Sequence, residues 1–190
     1  FLLQLSAASC IMDRLKSPHS TGIYIHVPFC EKRCIYCSFY STVHGKRERD
    51  AFVHTLCQEL AFRYDGSPVS TLYFGGGTPS QLDDEEMEII FSALQRHCSF
   101  LPDAEITFEA NPDDITPEKV HHLLQLGVNR ISLGVQSFDE QRLLFLKRRH
   151  TAQQALEAIA FLQDAGIKNI SIDLIFGLPG QQLTDRKWEL

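Results

Sequence analysis

Apolar and polar residues follow two alternating patterns along the chain, one typical of strands and the other of helices. Five short runs rich in β-branched and aromatic residues predict strands at residues 22–28, 69–74, 104–109, 129–135 and 168–176. Between these runs, apolar residues recur every three or four positions, which is helical spacing; an example is Phe52, Leu56, Leu60 and Tyr64. Helices are predicted at residues 49–64, 83–97, 117–126, 139–146 and 152–164, and a further helix begins at 188–190.

The alternation of strands and helices predicts an α/β fold with parallel strands, either an open doubly wound sheet or a barrel. A complete eight-unit barrel needs roughly 250 residues, so five units predict a partial or truncated barrel. In both architectures, ligands bind at the carboxyl ends of the strands. We treat residues 22–190 as one incomplete core domain and residues 1–21 as an N-terminal extension that is either non-native or disordered. The first methionine is Met12 and the chain ends within a predicted helix, so we expect a fragment.

Composition and charge exclude several classes of protein. The 190 residues are 44% hydrophobic and 22% charged, which is typical of a globular domain and not of a disordered tail. A formal net charge of −6 argues against a general nucleic-acid binder, which needs a basic surface. No apolar run approaches the roughly 20 residues that cross a bilayer, and the apolar stretch 1–11 lacks the basic start of a signal peptide. We therefore expect a cytoplasmic protein without a membrane span.

Three of the six cysteines, Cys30, Cys34 and Cys37, fall within eight residues. Soft thiolates at such spacing bind zinc or an iron–sulfur cluster. A structural zinc site needs four protein ligands, and no fourth ligand stands at an obvious spacing, although His26 and His44 flank the cysteines. Three thiolates leave one iron of a 4Fe–4S cluster open to an external ligand, so the spacing favours a cluster over zinc. The remaining cysteines are scattered and are expected to be packing thiols: Cys10, Cys57 and Cys98.

Polar residues that are unusual for a core recur where the predicted strands end. Residues 75–79 (GGGTP) follow the second strand, and glycines there let a ligand approach the backbone and supply free N–H groups. Glu109 ends the third strand, Gln136 ends the fourth and Asp173 lies within the fifth. Arg148 belongs to a basic run that is either a solvated helix end or a clamp for a carboxylate. Taken alone, each of these features also has an interpretation that involves no ligand: a tight turn, a solvated acid or a polar group with hydrogen-bond partners in the core. Because parallel strands end at one edge, we expect these residues to surround one site.

Together these motifs resemble the radical S-adenosylmethionine (SAM) enzymes and, more narrowly, the oxygen-independent coproporphyrinogen III oxidase family. The matching segments occur in order: YIHVPFC at 24–30 with the two further cysteines, FGGGTPS at 74–80, EANP at 109–112, NRISLGVQSF at 129–138, LKRRH at 146–150 and DLIFGLPGQ at 173–181. The resemblance runs from about residue 22 to the end of the chain. It implies a partial (β/α)6 barrel that is truncated here after about five strand–helix units.

The resemblance implies a 4Fe–4S cluster on Cys30, Cys34 and Cys37, with SAM chelating the open iron through its amino and carboxyl groups. One-electron cleavage of SAM would then give a 5′-deoxyadenosyl radical. The resemblance assigns no catalytic residue beyond the cluster. It does imply which residues bind SAM or lie on the substrate side: Tyr24, Tyr36, Gly76, Gly77, Thr78, Glu109, Gln136, Arg148 and Asp173.

Two departures from the oxidase pattern point to the heme chaperone HemW subgroup of the family. The oxidase carries a further cysteine two residues after the third, where this chain has Phe39, and it has a longer segment before the cysteines. The resemblance therefore implies a protein that binds heme and passes it to an acceptor protein, with an electron donor as another partner. The alternatives are an oxidase that decarboxylates coproporphyrinogen III to protoporphyrinogen IX, and a structural zinc-binding module.

Overall fold

The computed structural model describes residues 20–182, and in this range five strands alternate with five helices. The strands are β1 (Thr21–Val27), β2 (Val69–Gly76), β3 (Phe100–Ala110), β4 (Arg130–Gln136) and β5 (Asn169–Leu174). The helices are α1 (Lys46–Arg63), α2 (Asp84–His97), α3 (Pro117–Gln125), α4 (Glu140–Phe145) and α5 (Ala152–Asp164). Two short 3-10 helices, Pro79–Gln81 and Pro112–Asp114, follow β2 and β3. The predictions for Cys10, for most of the N-terminal extension and for the last helix lie outside the described residues.

The five strands form one parallel sheet in the order β1-β2-β3-β4-β5. Each strand therefore lies next to the strand that follows it in the sequence. A doubly wound sheet requires a point at which the strand order reverses, and this sheet has none among residues 20–182. The topology is that of a barrel segment, which confirms the partial-barrel prediction.

Alternation along β2 separates the hydrophobic core from the polar face of the sheet. Leu72 and Phe74 are buried, and the Phe74 ring stacks on Phe91 of α2 with 5.1 Å between ring centroids. Phe108 of β3 lies beside Phe74, at 5.4 Å. Tyr73 stands between the two buried residues and so faces the other side of the sheet. The core thus lies between the sheet and the helices, and the inner face is left for polar side chains.

Side-chain caps define where the crossover helices begin. At α2, Asp83 accepts a hydrogen bond from the Glu86 N–H, and the Glu86 carboxylate accepts one from the Asp83 N–H. Thr151 and Gln154 form the equivalent capping box at α5. Thr116 caps α3 with Pro117 as the first helical residue, as the sequence predicts.

Several predicted boundaries are wrong by a few residues. Strand β3 begins at Phe100 and not at residue 104, because Phe100 pairs with Val69 of β2. The register then shifts, and the next pair is Thr71 with Glu105. Helix α1 begins at Lys46 and not at residue 49; the Lys46 ammonium lies 3.2 Å from Asp50 one turn later, which supports the extra turn. Strand β5 is shorter than predicted and ends at Leu174.

Candidate functional site

The carboxyl ends of the strands surround a cavity of about 280 Å³, and almost every predicted site residue lines it. These lining residues come from the loop after β1, the end of β2, the end of β3, the end of β4, the segment after α4 and β5. They are Cys30, Cys34, Tyr36, Cys37, Gly76, Gly77, Thr78, Glu109, Gln136, Arg148 and Asp173. The prediction that parallel topology brings these residues to one site is therefore confirmed.

Tyr24 is the predicted site residue that is not among the side chains lining this cavity. Its side chain is 58% exposed, and its ring stacks on Tyr73 with 5.8 Å between centroids. The Tyr24 hydroxyl lies 3.2 Å from Nδ1 of His26, and Nε2 of His26 donates to the Tyr40 carbonyl at 2.9 Å. Both ring nitrogens of His26 thus have protein partners, which fits a structural role better than that of a fourth metal ligand.

The three clustered cysteines lie on a loop that is closed at its base by backbone hydrogen bonds. The Cys30 N–H donates to the Thr42 carbonyl at 2.9 Å, and the Thr42 N–H donates to the Pro28 carbonyl at 2.7 Å. We call residues 30–42 between these bonds the cysteine loop. The thiols of Cys30, Cys34 and Cys37 are free and partly exposed. Of the other cysteines, Cys98 is buried and Cys57 packs against the core, as predicted for packing thiols: both belong to the hydrophobic cluster behind the sheet.

The three free thiols supply a soft donor set that fits an iron–sulfur cluster. Nowhere in residues 20–182 are three His, Cys, Asp or Glu side chains grouped so as to hold a single metal ion. All three cysteines nevertheless line the same cavity. A cluster of several irons spans such a set, whereas one ion needs its ligands around one point.

Two side chains from distant parts of the chain contact the thiols. The Thr78 hydroxyl lies 3.5 Å from Sγ of Cys30, and Nη1 of Arg148 lies 3.6 Å from Sγ of Cys34. The same guanidinium donates to the Tyr36 hydroxyl at 3.3 Å and to the Asn111 side-chain oxygen at 2.5 Å. Arg148 is therefore a part-buried residue of the site, and of the two interpretations of the basic run, the solvated helix end does not hold for it. Asn111 belongs to the EANP motif at 109–112, but its hydrogen bond with Arg148 was not predicted.

The glycine run after β2 packs against the cysteine loop, and its amides are not free. The Gly76 N–H donates to Glu109, the Gly77 N–H to the Val27 carbonyl at 2.8 Å, and the Thr78 N–H to the Phe29 carbonyl at 2.7 Å. The expectation that this run offers free N–H groups is wrong. A Cβ on Gly77 would lie 2.7 Å from the Phe29 carbonyl oxygen, so the glycine permits a close approach of backbone to backbone.

Glu109 is a part-buried carboxylate held by two donors. It accepts hydrogen bonds from the Tyr73 hydroxyl at 2.7 Å and from the Gly76 N–H at 3.2 Å. Burial raises the pKa of the Glu109 carboxyl above its usual range, and the two hydrogen bonds oppose this shift. Burial also raises the pKa of Asp173, against the effect of Arg130. Tyr73 was not predicted as a site residue. The feature of the sequence that could have indicated it is a tyrosine hydroxyl at an inward-facing position of β2.

Gln136 carries local strain and an unsatisfied polar atom. Its backbone φ is 70°, which is unusual for a residue other than glycine, and its side chain is buried. Within the described part of the chain, its Oε1 has no hydrogen-bond partner, and neither has Nε of Arg148. Strained backbone and unpartnered polar atoms are concentrated at functional sites, where a ligand can supply the hydrogen bonds that the protein does not make. Gln136 therefore brings an unpaired acceptor to the lining of the cavity.

The charges of the cavity wall are balanced. Its acidic residues are Glu31, Glu109, Asp113 and Asp173, and its basic residues are Lys32, Lys147, Arg148 and Arg149. Such a wall suits a ligand that bears both positive and negative groups better than one of a single sign. Over residues 20–182, no helix is long and apolar enough to cross a membrane.

Comparisons with known proteins identify the family. The radical SAM superfamily profile matches residues 24–188. The heme chaperone HemW of Lactococcus lactis is 38% identical over 169 residues, which are 89% of this chain and 44% of that protein. The bovine protein named radical S-adenosyl methionine domain-containing protein 1, mitochondrial, is 35% identical over 165 residues, which are 85% of this chain and 37% of that protein.

The fold also matches a solved structure. The structure described as coproporphyrinogen III oxidase (HemN) from Escherichia coli, a radical SAM enzyme, superposes with a TM-score of 0.82 at 28% identity. The match covers 97% of this chain and 44% of that structure. The chain thus spans less than half the length of these proteins. Its sequence match over most of its residues and its sheet topology together show that the chain belongs to the radical SAM superfamily, whose members bind a 4Fe–4S cluster and SAM.

Proposed function

We propose that this chain is the cluster-binding and SAM-binding core of a heme chaperone. The observation that carries the proposal is the set of three free thiols, Cys30, Cys34 and Cys37, in the lining of a cavity at the carboxyl ends of the strands. Three thiolates hold three irons of a 4Fe–4S cluster and leave the fourth for SAM. When bound, the cluster and SAM supply one-electron chemistry that amino-acid side chains do not.

The chain's own residues have chemistry suited to SAM, which carries an amino group, a carboxylate, a sulfonium and a ribose. The Glu109 and Asp173 carboxylates are acceptors for the amino group and the ribose hydroxyls. Arg148 supplies a cation for the carboxylate, and the unpartnered Oε1 of Gln136 accepts one further hydrogen bond. Since the amides at Gly76, Gly77 and Thr78 are used within the protein, this run would meet the amino group through its backbone carbonyls or the Thr78 hydroxyl. Tyr36 lies beside Arg148 and completes this side of the cavity.

Tyr24 needs a different role from the other predicted SAM residues. It stacks on Tyr73, which in turn donates to Glu109, and so it supports the carboxylate from outside the cavity. We propose that Tyr24 contacts SAM at the rim of the cavity and orients Tyr73 through ring stacking.

Phe39 supports a chaperone over an oxidase. It lines the cavity two residues after Cys37, where the resemblance places a further cysteine in the oxidase. The relatives named heme chaperone HemW match at 33–38% identity, and they share the family fold with this chain. The second candidate is a coproporphyrinogen III oxidase, which is favoured by the similarity to the HemN structure.

The experiment that separates the two functions uses the full-length protein, purified under nitrogen and reconstituted with iron and sulfide. One portion is titrated with heme and then mixed with a heme-free acceptor protein. Another portion receives coproporphyrinogen III, SAM and dithionite. The proposal predicts saturable heme binding, heme transfer and no protoporphyrinogen IX. Formation of protoporphyrinogen IX would identify an oxidase, and the absence of both activities would reject both functions.

The proposed function requires two protein partners, an electron donor and a heme acceptor. We propose that it operates in the cytoplasm, as expected from the sequence. The name of the bovine relative makes the mitochondrion the alternative location. Fractionation of cells that express the tagged full-length protein distinguishes these locations.

A further inference from the structure

Arg149 lies among three carboxylates at the edge of the cavity. Its guanidinium forms ion pairs with Glu31, with Asp113 at 2.6 Å and with Asp114 at 3.0 Å. The Arg149 side chain is 30% exposed, whereas those of Asp113 and Asp114 are 18% and 13% exposed. The pairs with Asp113 and Asp114 are therefore partly shielded from solvent, whereas the Glu31 side chain is 59% exposed and its pair with Arg149 has the modest strength of a surface ion pair.

The ion pairs of Arg149 connect the loops that follow four consecutive strands. Glu31 directly follows Cys30 in the loop after β1, and Asp113 and Asp114 form the 3-10 helix after β3. Asp114 also accepts a hydrogen bond of 2.5 Å from the Ser80 hydroxyl, in the loop after β2. Arg149 itself belongs to the segment that follows β4 and α4. One guanidinium thus ties the cysteine loop to the rest of the cavity rim.

The two neighbouring arginines reach the cysteine loop at different points. Lys147 adopts a left-handed backbone conformation, with a φ of 56°, directly before them. Arg148 contacts the thiol of Cys34 inside the cavity, whereas Arg149 reaches Glu31. Arg149 also lies close enough to Cys30 for a direct electrostatic interaction, so the Glu31 variant is needed to show that its effect on the loop passes through the ion pair.

Other groups near Arg149 do not replace its charge. Nδ1 of His150 lies 3.9 Å from Asp113, but burial lowers the pKa of His150 to about 4, so its ring is neutral at physiological pH. Burial and the charge of Asp114 raise the pKa of Asp113, which shows that these two carboxylates disfavour each other. Without Arg149, Glu31 would lose its ion pair and would face the negative charges of Asp113 and Asp114, which Arg148 offsets only in part.

We propose that Arg149 is a positioning residue that holds the cysteine loop in place for cluster assembly through its ion pair with Glu31. The inference rests on the proposed role of Cys30, Cys34 and Cys37 as cluster ligands. Loop closure before metal arrives reduces the conformational entropy that cluster binding must overcome. Neither Arg149 nor Glu31 is required to touch the cluster or SAM for this effect.

The test measures thiol modification in the metal-free full-length protein, so it does not depend on cluster chemistry. Each variant reacts with iodoacetamide, and mass spectrometry follows every cysteine, with Cys57 and Cys98 as internal references. In Arg149→Ala, Cys34 and Cys37 should react about fivefold faster than in wild type. A loss of about 1 kcal/mol of ion pairing increases the population of the open cysteine loop by this factor. Glu31→Gln should show the same change, and Arg149→Lys should restore most of the protection.

The matched control is Arg63→Ala, which removes an exposed ion pair with Glu59 on α1. It should leave all thiol rates unchanged. If Arg149→Ala raises the rates of Cys57 and Cys98 as much as those of the loop cysteines, its role is general stability and the proposal is overturned. Unchanged loop rates in a folded Arg149→Ala protein overturn it as well.

A second measurement distinguishes this inference from the proposed function. Iron and sulfide are determined after limited reconstitution under nitrogen, and cluster loss to a chelator is followed by absorbance. Arg149→Ala should assemble the cluster more slowly and lose it about fivefold faster than wild type. If wild type binds no cluster, the proposed function fails. If wild type and Arg149→Ala assemble and lose the cluster alike, only the role of Arg149 is overturned.

Discussion

Arg148 and Cys34 are 114 residues apart in the sequence, and the guanidinium of Arg148 lies 3.6 Å from the sulfur of Cys34. The arginine is fixed in this position by Asn111, at 2.5 Å, and by the Gly134 carbonyl, at 2.8 Å. The ends of β3 and β4 therefore place a permanent positive charge next to a proposed cluster ligand. A cation beside a cysteine sulfur stabilises added negative charge on the cluster.

Removal of the Arg148 charge should make the cluster harder to reduce. In Arg148→Ala, the midpoint potential of the reconstituted cluster should become more negative by about 60 mV, equivalent to a tenfold change in a one-electron equilibrium. Arg148→Lys keeps a positive charge and should shift the potential less. Spectroelectrochemical titration under nitrogen measures both values. An unchanged potential in Arg148→Ala, at wild-type iron content, would mean that the contact has no electrostatic effect on the cluster.

Gly77→Ala should disturb the junction between β2 and the cysteine loop. The new Cβ would lie 2.7 Å from the Phe29 carbonyl oxygen and 2.9 Å from the Pro28 carbonyl carbon, and backbone atoms there have little room to move. We expect a loss of about 1–3 kcal/mol in the free energy of unfolding, together with lower iron content after reconstitution. Urea denaturation and iron analysis measure the two effects.

The matched control for Gly77→Ala is Gly45→Ala, where the new Cβ would lie 3.6 Å from a carboxylate oxygen of Glu48, an ordinary van der Waals contact. This variant should keep wild-type iron content, and it should lose no more than about 1 kcal/mol of stability, because Gly45 is the N-cap of α1. If both alanine variants behave alike, close backbone packing is not the reason for the glycine at position 77.

Glu109→Gln should change how stability depends on pH. Burial raises the pKa of the Glu109 carboxyl in the folded state above its unfolded value. Below the unfolded pKa the group is protonated in both states, and its contribution to stability is lost as the pH rises through the folded pKa. The free energy of unfolding of Glu109→Gln, relative to wild type, should therefore rise as the pH increases above about 4.3, the unfolded value of a glutamate.

Urea denaturation of both proteins at several pH values measures this difference. Glu59→Gln is the control, because it replaces a carboxylate on α1 whose side chain is 52% exposed. A stability difference for Glu109→Gln that stays constant with pH would show that the buried carboxylate is not destabilised in the folded protein.

Much of the site could be predicted because parallel topology follows from the strand and helix pattern. Once β3 and β4 are parallel neighbours, Glu109 and Gln136 must end at the same edge. The spacing of Cys30, Cys34 and Cys37 places three thiols on one loop without any knowledge of tertiary structure. Local sequence was sufficient for these features.

Other features depend on register and on contacts between distant loops, which local sequence does not specify. The amide partners of Gly76 and Gly77 are set by the exact stagger of β1, β2 and β3. The positive φ of Gln136 arises where the register of β4 against β5 shifts after Leu133. Tyr24 stays a predicted SAM residue: it is not among the residues that line the cavity, and its ring stacks on Tyr73, a contact that the local sequence does not specify.

The iron content of anaerobically reconstituted protein, with zinc measured in the same samples, tests the cysteine assignment most directly. Wild-type full-length protein should hold about four irons and four sulfides per chain, and Cys30→Ala, Cys34→Ala and Cys37→Ala should each lose most of this cluster and its visible absorbance. Cys57→Ala and Cys98→Ala should keep it, since both thiols pack in the core behind the sheet. Stoichiometric zinc without iron in wild type, or full iron content in any of the three cysteine-loop variants, would contradict the account.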